Sequence, residues 1–306
     1  MPTSKIPTTG NRITLASSIK DFLFKHPTFR LGGDEDFHQE RRHHLEVFGF
    51  HNLPKSGIHP IGEVEFTAIR GPYGTIPVRV LYPKSGEERR KKGEGALMYF
   101  HGGGYTVGSV DEFENGLRLV AEESVYAIDY RLAPEFKFPV QLDEYSCLID
   151  WLQSEGGRSR GVHPSRVCGG GDFVGGNMTA ATCLRRRDNG EKPLVAQILL
   201  YPEARLPFDI PAASENNSGL YLECNGIFSF ADHYLPRGTP PGYNGFDPLR
   251  DVGVEYAHKL EEAGVKVRWH HYETLTHGWL QMTAWSEGAV HATKDVAHEL
   301  KSLTYE

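Results

Sequence analysis

Apolar and polar positions divide the chain into a weakly patterned start and a strongly patterned remainder. Residues 1–60 are polar and rich in histidine, and their spacing predicts two helices, one that ends before Pro27 and one over Arg41–Phe48. Between residues 64 and 82, two alternating apolar runs flank a Gly-Pro-Tyr-Gly turn, which predicts a β-hairpin. We therefore expect a cap segment over residues 1–60 and one larger domain over residues 61–306.

Continuous apolar runs alternate with amphipathic helical stretches along the rest of the chain. A run that is apolar at every position is typical of a strand covered on both faces. Strands that alternate with helices favour an α/β fold, with a mostly parallel central sheet flanked by helices. The predicted strands are Ala96–Phe100, Val125–Tyr130, Arg166–Gly171, Leu194–Tyr201 and Val265–Tyr272, and the predicted helices are Glu112–Glu123, Phe138–Leu152, Val174–Arg187, Val252–Ala263 and His291–Leu303.

Composition narrows the classes of function. The 306 residues include 33 Lys and Arg against 40 Asp and Glu, and the resulting net charge of −7 argues against nucleic acid or an anionic membrane as partner. No apolar run approaches the length of a membrane span, and no apolar leader follows the first residues. The cysteines lack metal-ligand spacing, so we expect reduced thiols and a cytoplasmic protein. They are Cys147, Cys168, Cys183 and Cys224.

One stretch, Gly171–Asn177, has the pattern of a nucleophile elbow. A strand precedes it, a helix follows it, and glycine at both flanks permits a tight turn that lifts one side chain clear of the sheet. The raised position, which is serine in the G-x-S-x-G pattern, is Phe173 here. Phenylalanine has no nucleophilic atom. Asp172, Thr179 and Cys168 carry reactive atoms nearby, but we expect none of them at the apex.

A glycine-rich loop follows the strand that ends at Phe100. Gly103 and Gly104 can present backbone N–H groups to a developing oxyanion, because no side chain blocks the approach. The N–H of Val174, at the start of the elbow helix, would be a third donor. The structural alternative is a plain glycine-rich turn.

Two later residues complete a possible catalytic set. His277 follows a predicted strand and is the candidate general base, and Asp247 is the candidate acid that would orient its imidazole. The structural alternative for His277 is a surface histidine. The alternative for Asp247 is an acid at a helix N-terminus before Pro248, a position that carboxylates favour.

Taken together, the motifs resemble the hormone-sensitive-lipase-like carboxylesterases of the α/β-hydrolase fold, over roughly residues 60–300. The resemblance implies the chain order nucleophile, acid, histidine, with no metal or organic cofactor. It also implies supporting roles for His101, Gly102 and Asp172, and loop-bracing roles for Arg131 and Glu135, although a surface ion pair is the structural alternative. The motifs are His101-Gly-Gly-Gly-Tyr105, Asp129-Tyr-Arg-Leu-Ala-Pro-Glu135, Gly171-Asp-Phe-Val-Gly-Gly-Asn177, Phe246-Asp-Pro-Leu-Arg-Asp251 and His277-Gly278.

The chain departs from this family at a second place. The family has an apolar strand before the acid, whereas Pro236–Gly245 contains three prolines and three glycines and is a poor strand. We therefore predict that one sheet strand before Asp247 is missing. The join at Ser124 is also short. The aromatic stretch within residues 205–240 is expected to be a cap insertion.

These observations lead to one main hypothesis and two alternatives. The main hypothesis is a hydrolase of a short-chain ester, whose activity is lost or very weak because Phe173 replaces the serine. One alternative is a non-catalytic binder of a small apolar ligand, a reuse for which plant gibberellin receptors, which also resemble this family, are a precedent. The other is a cyclase or lyase that uses His277 as a base. A weaker resemblance to fungal versiconal hemiacetal acetate esterases implies secondary metabolism, and a homodimer is left open.

Overall fold

The computed structural model of the chain describes residues 6–7, 10–32, 36–90, 93–204, 211–216, 218–223, 227–236 and 250–306. Within those ranges, one six-stranded sheet forms the centre of the fold. Its strands are β1 (Glu63–Gly71), β2 (Gly74–Tyr82), β3 (Glu94–Phe100), β4 (Ser124–Ile128), β5 (Val162–Asp172) and β6 (Gln197–Leu200).

The strand order is β1-β2-β4-β3-β5-β6. Strands β1 and β2 form the predicted antiparallel hairpin at one edge, and β2 pairs antiparallel with β4. The pairs β3–β4, β3–β5 and β5–β6 are parallel, so the carboxyl ends of β3, β5 and β6 lie at one edge of the sheet. This arrangement confirms the predicted hairpin and the predicted parallel core.

Helices cover the sheet, as the alternation in the sequence predicts. Two helix pairs, α3 with α10 and α4 with α6, pack against the strands. The helices are α1 (Ser17–Lys25), α2 (Phe37–Phe48), α3 (Val110–Val120), α4 (Val140–Leu152), α5 (Glu155–Arg158), α6 (Val174–Asp188), α7 (Pro211–Glu215), α8 (Ile227–Tyr234), α9 (Arg250–Glu262) and α10 (Glu287–Tyr305).

The prediction of a strand over Val265–Tyr272 is wrong. These residues form no ladder, and β6 is the last strand of the sheet within the described ranges. A cleft of about 1130 Å³ is lined by β6 on one side and by residues 265–272 on the other. Within the described ranges, residues 265–272 have no neighbouring strand with which to pair. The predicted loss of a strand falls within residues 237–249, outside the described residues.

The N-terminal helices lie on the domain through an aromatic cluster. Phe22 of α1 stacks on Phe48 of α2 at a ring-centroid distance of 5.6 Å. Phe48 also contacts Trp285 and Tyr221, at 6.0 and 5.7 Å. This packing joins residues 17–48 to the stretch that contains Tyr221 and to the loop before α10. The boundaries of the cap and of its insertion stay predictions. No described helix combines the length and the apolar character needed to span a bilayer.

Candidate active site

The turn between β5 and α6 has the backbone of a nucleophile elbow. Phe173 adopts φ 50° and ψ −116°, a region that costs a non-glycine residue about 1–3 kcal/mol. Hydrogen bonds hold this conformation: the Phe173 amide donates to Leu200 (3.0 Å), and the Phe173 carbonyl accepts from Asn177 and Glu203 (both 3.1 Å). A Cβ at Gly175 would collide with the Phe100 carbonyl, so glycine is required beside the apex.

His277 lies directly beside the apex residue. Its ring meets the Phe173 ring edge-to-face, with a centroid distance of 4.8 Å and an interplanar angle of 90°. The Tyr201 ring lies 4.7 Å from it on another side. Burial lowers the pKa of His277 to about 3, although the ring keeps some solvent contact along the cleft beside β6. The imidazole is therefore neutral at neutral pH, as a general base must be.

The acid that the sequence predicts for this histidine, Asp247, lies outside the described residues. Among the described side chains, no carboxylate forms a hydrogen bond with His277. The structure thus brings together Phe173 and His277, while the place of Asp247 stays a prediction.

The glycine-rich loop after β3 lies next to the elbow. Gly103 and Gly104 have φ values of 100° and 60°, which favour glycine. Within the described chain, their N–H groups donate to no other residue. Val174 is the first residue of α6, so its N–H has no acceptor within the helix. These are the three N–H groups that the sequence predicts as oxyanion donors.

An aromatic side chain from α8 covers this loop. A Cβ added at Gly104 would collide with the ring of Phe230, which is buried. Helix α8 is held in place by Tyr234, whose ring stacks on Tyr105 at 3.6 Å. Lys137 donates to the last carbonyls of the helix, including that of His233 (2.6 Å). In this structure the glycine-rich loop is therefore covered by protein.

The three residues predicted to support the loop, His101, Gly102 and Asp172, all form buried contacts, and their supporting role stays a prediction. Asp172, 2% exposed, accepts hydrogen bonds from the Tyr99 hydroxyl (2.7 Å) and the Gly102 amide (2.8 Å). Burial raises the pKa of Asp172 to about 7. The His101 ring is stacked on the ring of Tyr130 at 4.5 Å, and burial lowers its pKa. Asp172 is thus turned toward the loop, away from the apex.

The other candidate nucleophiles are also engaged elsewhere. Thr179 lies along α6, where its hydroxyl bonds to Tyr145 (2.8 Å) and to the Gly175 carbonyl (2.8 Å). Cys168 is buried inside β5 beside Thr304, and burial raises its pKa to about 11. Neither reaches the position that Phe173 occupies.

The predicted bracing residues do not pair with each other. Arg131 forms an ion pair with the buried Glu144 and donates to the carbonyl of Tyr73 (2.8 Å). Glu135 pairs with Arg41 of α2 at 2.7 Å, and this ion pair lowers its pKa. Both side chains therefore join loops to separate parts of the chain.

Residues 1–60 are polar and rich in histidine, and their composition favours surface positions for these side chains, but His44 departs from that pattern. It is 1% exposed, and burial lowers its pKa to about 4. It lies under the aromatic cluster because α2 turns this side chain toward the domain. Its ring contacts Phe29 at 4.7 Å and Tyr221 at 5.8 Å.

Sequence reasoning missed several residues of the site. Glu112 and Gln281 line a cavity of about 10 Å³ that is also lined by Gly103 and His277. The only local signal at Glu112 is the Ser-x-x-Glu spacing from Ser109, which is typical of a helix capping box rather than of a site. A cavity of this size is far below the ~300–1,000 Å³ typical of ligand pockets.

Comparison with known proteins defines the class of this fold. A family model described as the alpha/beta hydrolase fold matches residues 97–241 and 242–281. The chain therefore belongs to the α/β-hydrolase fold family, as the central sheet and the elbow indicate. Among solved structures, the hyperthermophilic esterase from Pyrobaculum calidifontis has a TM-score of 0.84 and 26% identity, covering 96% of this chain and 100% of that one.

Curated relatives narrow the class. The esterase LipI of Mycobacterium tuberculosis is 31% identical over 290 residues, covering 87% of this chain and 88% of the relative. Carboxylesterase NlhH of the same species is 32% identical over 245 residues, with coverages of 71% and 75%. The chain is thus a member of the hormone-sensitive-lipase-like carboxylesterase family. The resemblance to the fungal type stays a prediction.

Proposed function

We propose that this chain carries an ester-hydrolase site in which Phe173 occupies the nucleophile position, so that a small ester or related apolar molecule is bound with little or no turnover. The observation that carries the proposal is the conformation of Phe173. Its backbone has the strained elbow geometry, and its ring lies 4.8 Å from that of His277. The names of the relatives as esterases support the class of substrate.

The chemistry explains why this one residue matters. In a serine hydrolase, the serine oxygen attacks the carbonyl carbon, a histidine accepts its proton, and backbone N–H groups stabilise the oxyanion. The Phe173 ring offers no atom for the first step. Loss of the serine in such a triad reduces kcat by about 10⁶-fold, which leaves only binding and oxyanion effects.

The preferred substrate class is a short-chain ester of a small apolar alcohol or phenol. The N-terminal segment and α8 lie over the loop and would select it, and Phe230 would have to move to admit it. A non-catalytic small-molecule binder is the second candidate, and the same apolar residue at the apex favours it. The cytoplasmic location, the homodimer and a role in secondary metabolism stay predictions.

Hydrolysis of p-nitrophenyl acetate and p-nitrophenyl butyrate tests the proposal. We expect the natural chain and its Phe173→Ala variant to be equally inactive and Phe173→Ser to show turnover. The alanine variant also removes the Phe173 ring but adds no hydroxyl group. It therefore distinguishes the effect of a new nucleophile from the effect of more space for the substrate. Turnover by the natural chain above the alanine variant would contradict the proposal. Saturable binding of the ester without turnover in all three proteins would favour the binder.

A further inference from the structure

A water-sized cavity lies between the first turn of α3 and the loop that carries His277. Its volume is about 10 Å³, close to the smallest space that holds one water molecule. Glu112, His44, Gln281 and Asp172 line it together with His277. A buried water needs two to four polar partners, so the polar atoms of this wall determine whether the cavity is filled.

The carboxyl group of Glu112 has one oxygen without a partner. Its Oε1 accepts from the Ser109 hydroxyl at 3.2 Å, whereas Oε2 is buried and forms no hydrogen bond with any described residue. Burial raises the pKa of Glu112 to about 8, so the group is protonated at neutral pH and can donate. Buried polar atoms are nearly always paired with protein or ordered water. The free oxygen of Glu112 therefore requires a partner.

His44 faces Glu112 across a gap. Its Nε2 lies 2.9 Å from the carbonyl oxygen of Arg30, which can only accept, so the ring proton is on Nε2. The lone pair is then on Nδ1, which lies 3.9 Å from Glu112 Oε2. That distance is too long for a direct hydrogen bond and suits a bridging water.

His277 also lines this cavity. Its imidazole is neutral, and within the described residues it has no hydrogen-bond partner. A water molecule can accept one hydrogen bond from Glu112 and donate two, one to His44 Nδ1 and one to a ring nitrogen of His277. One water with these three hydrogen bonds would pair the free atoms of Glu112, His44 and His277.

We propose that one buried water joins Glu112, His44 and His277, and that Glu112 is a positioning residue that sets the tautomer and orientation of His277 through it. The importance of this role for ester chemistry rests on the proposed function. The bridge itself is independent of turnover, since it can be observed at His277. A negative esterase assay would therefore count against the proposed function only, and the absence of the water bridge would count against this proposal only.

Several ionisable groups face Glu112. Asp111 lies beside it on α3, Asp129 follows β4 and Asp172 ends β5, and all three carboxyls raise the pKa of Glu112 further. His44 faces it from α2. Asp172 has a pKa raised to about 7, so its own titration must be separated from that of Glu112.

Ring-¹⁵N histidine NMR of the full chain tests the bridge, with His277 assigned by its loss in His277→Asn. In the natural chain we expect the His277 ring signals to shift in a step centred near pH 8, when Glu112 loses its donor proton. Glu112→Gln keeps a neutral donor and should lack this step. Glu40→Gln is the matched control, because Glu40 contacts His44 from outside the cavity. A step from Asp172, near pH 7, would persist in both variants.

Two results would overturn the proposal. One is a set of His277 signals that does not change between pH 7.5 and 9. The other is a step near pH 8 that survives in the Glu112→Gln/Glu203→Gln double variant, which also removes the buried Glu203 carboxyl that has a pKa of about 8. A crystal structure of the natural chain at pH 6.5 gives an independent answer should the variant fail to fold. We expect a water within about 3.2 Å of Glu112 Oε2 and of a His277 ring nitrogen. An empty cavity would refute the bridge.

Discussion

Replacing Phe173 with alanine should destabilise the fold by about 3–5 kcal/mol. The side chain is 1% exposed and packs edge-to-face on His277. Burying a phenylalanine ring removes about 150–250 Å² from water, worth about 4–6 kcal/mol at ~25 cal/mol per Å², which is an upper bound. The loss of buried apolar area and the cavity left beside His277 both lower the free energy of unfolding. Equilibrium unfolding in urea, followed by tryptophan fluorescence, measures the change.

A glycine variant separates the ring from the backbone. Phe173 has φ 50°, so alanine keeps the backbone strain and glycine relieves it. The relief, about 1–3 kcal/mol, exceeds the ~0.5–1 kcal/mol that glycine loses through its greater freedom in the unfolded chain. Phe173→Gly should therefore unfold at a higher urea concentration than Phe173→Ala. Equal urea midpoints for Phe173→Gly and Phe173→Ala would refute the backbone strain at the elbow. A decrease of less than about 1 kcal/mol in the free energy of unfolding of Phe173→Ala would refute the tight packing of the Phe173 ring.

Three further outcomes follow from the structure. Gly253→Ala should stabilise the protein by about 1 kcal/mol, because Gly253 is inside α9 and an added Cβ would make only ordinary van der Waals contacts. A lower urea midpoint for the variant would show instead that the cleft beside β6 is occupied at this position. Burial raises the pKa of Glu203 to about 8. Between pH 6.5 and 8 the folded protein therefore binds a proton at Glu203 that the unfolded chain has lost, and the free energy of unfolding should fall as the pH rises. Below pH 6.5, His44 and His277 have the opposite effect: their pKa values are lowered in the folded protein, so the free energy of unfolding rises with pH in that range. Glu203→Gln should reduce the fall above pH 6.5, and an unchanged slope in urea melts would contradict this. Lys137→Met should speed amide exchange in α8 by removing donors to its terminal carbonyls, and unchanged exchange would disprove that anchoring role.

Local patterns predicted the parts of the fold that local chemistry determines. The hairpin, the buried strands and the elbow follow from apolar periodicity and from glycine at Gly171 and Gly175. The left-handed backbone of the loop at Gly103 and Gly104 is one that glycine favours, so it also follows from the local sequence. Each of these depends on residues that are close in sequence, so one sequence is enough to predict them.

Long-range packing determined the rest. The strand predicted over Val265–Tyr272 fails because a ladder requires a neighbour, and β6 is separated from these residues by the cleft. Phe230 covers the glycine-rich loop at Gly104 from an element more than a hundred residues away. Glu112 and His44 are buried only because α2 and α3 meet under the aromatic cluster. No spacing in the sequence records these contacts.

Covalent labelling tests most directly the claim that Phe173 occupies the nucleophile position of a serine-esterase site. Diethyl p-nitrophenyl phosphate transfers its phosphoryl group to an activated serine oxygen and releases p-nitrophenolate. By intact mass spectrometry and peptide mapping, we expect one adduct on residue 173 of Phe173→Ser, none on the natural chain and none on the Phe173→Ser/His277→Asn double variant. An adduct on the natural chain, or its absence from a folded Phe173→Ser, would contradict the account.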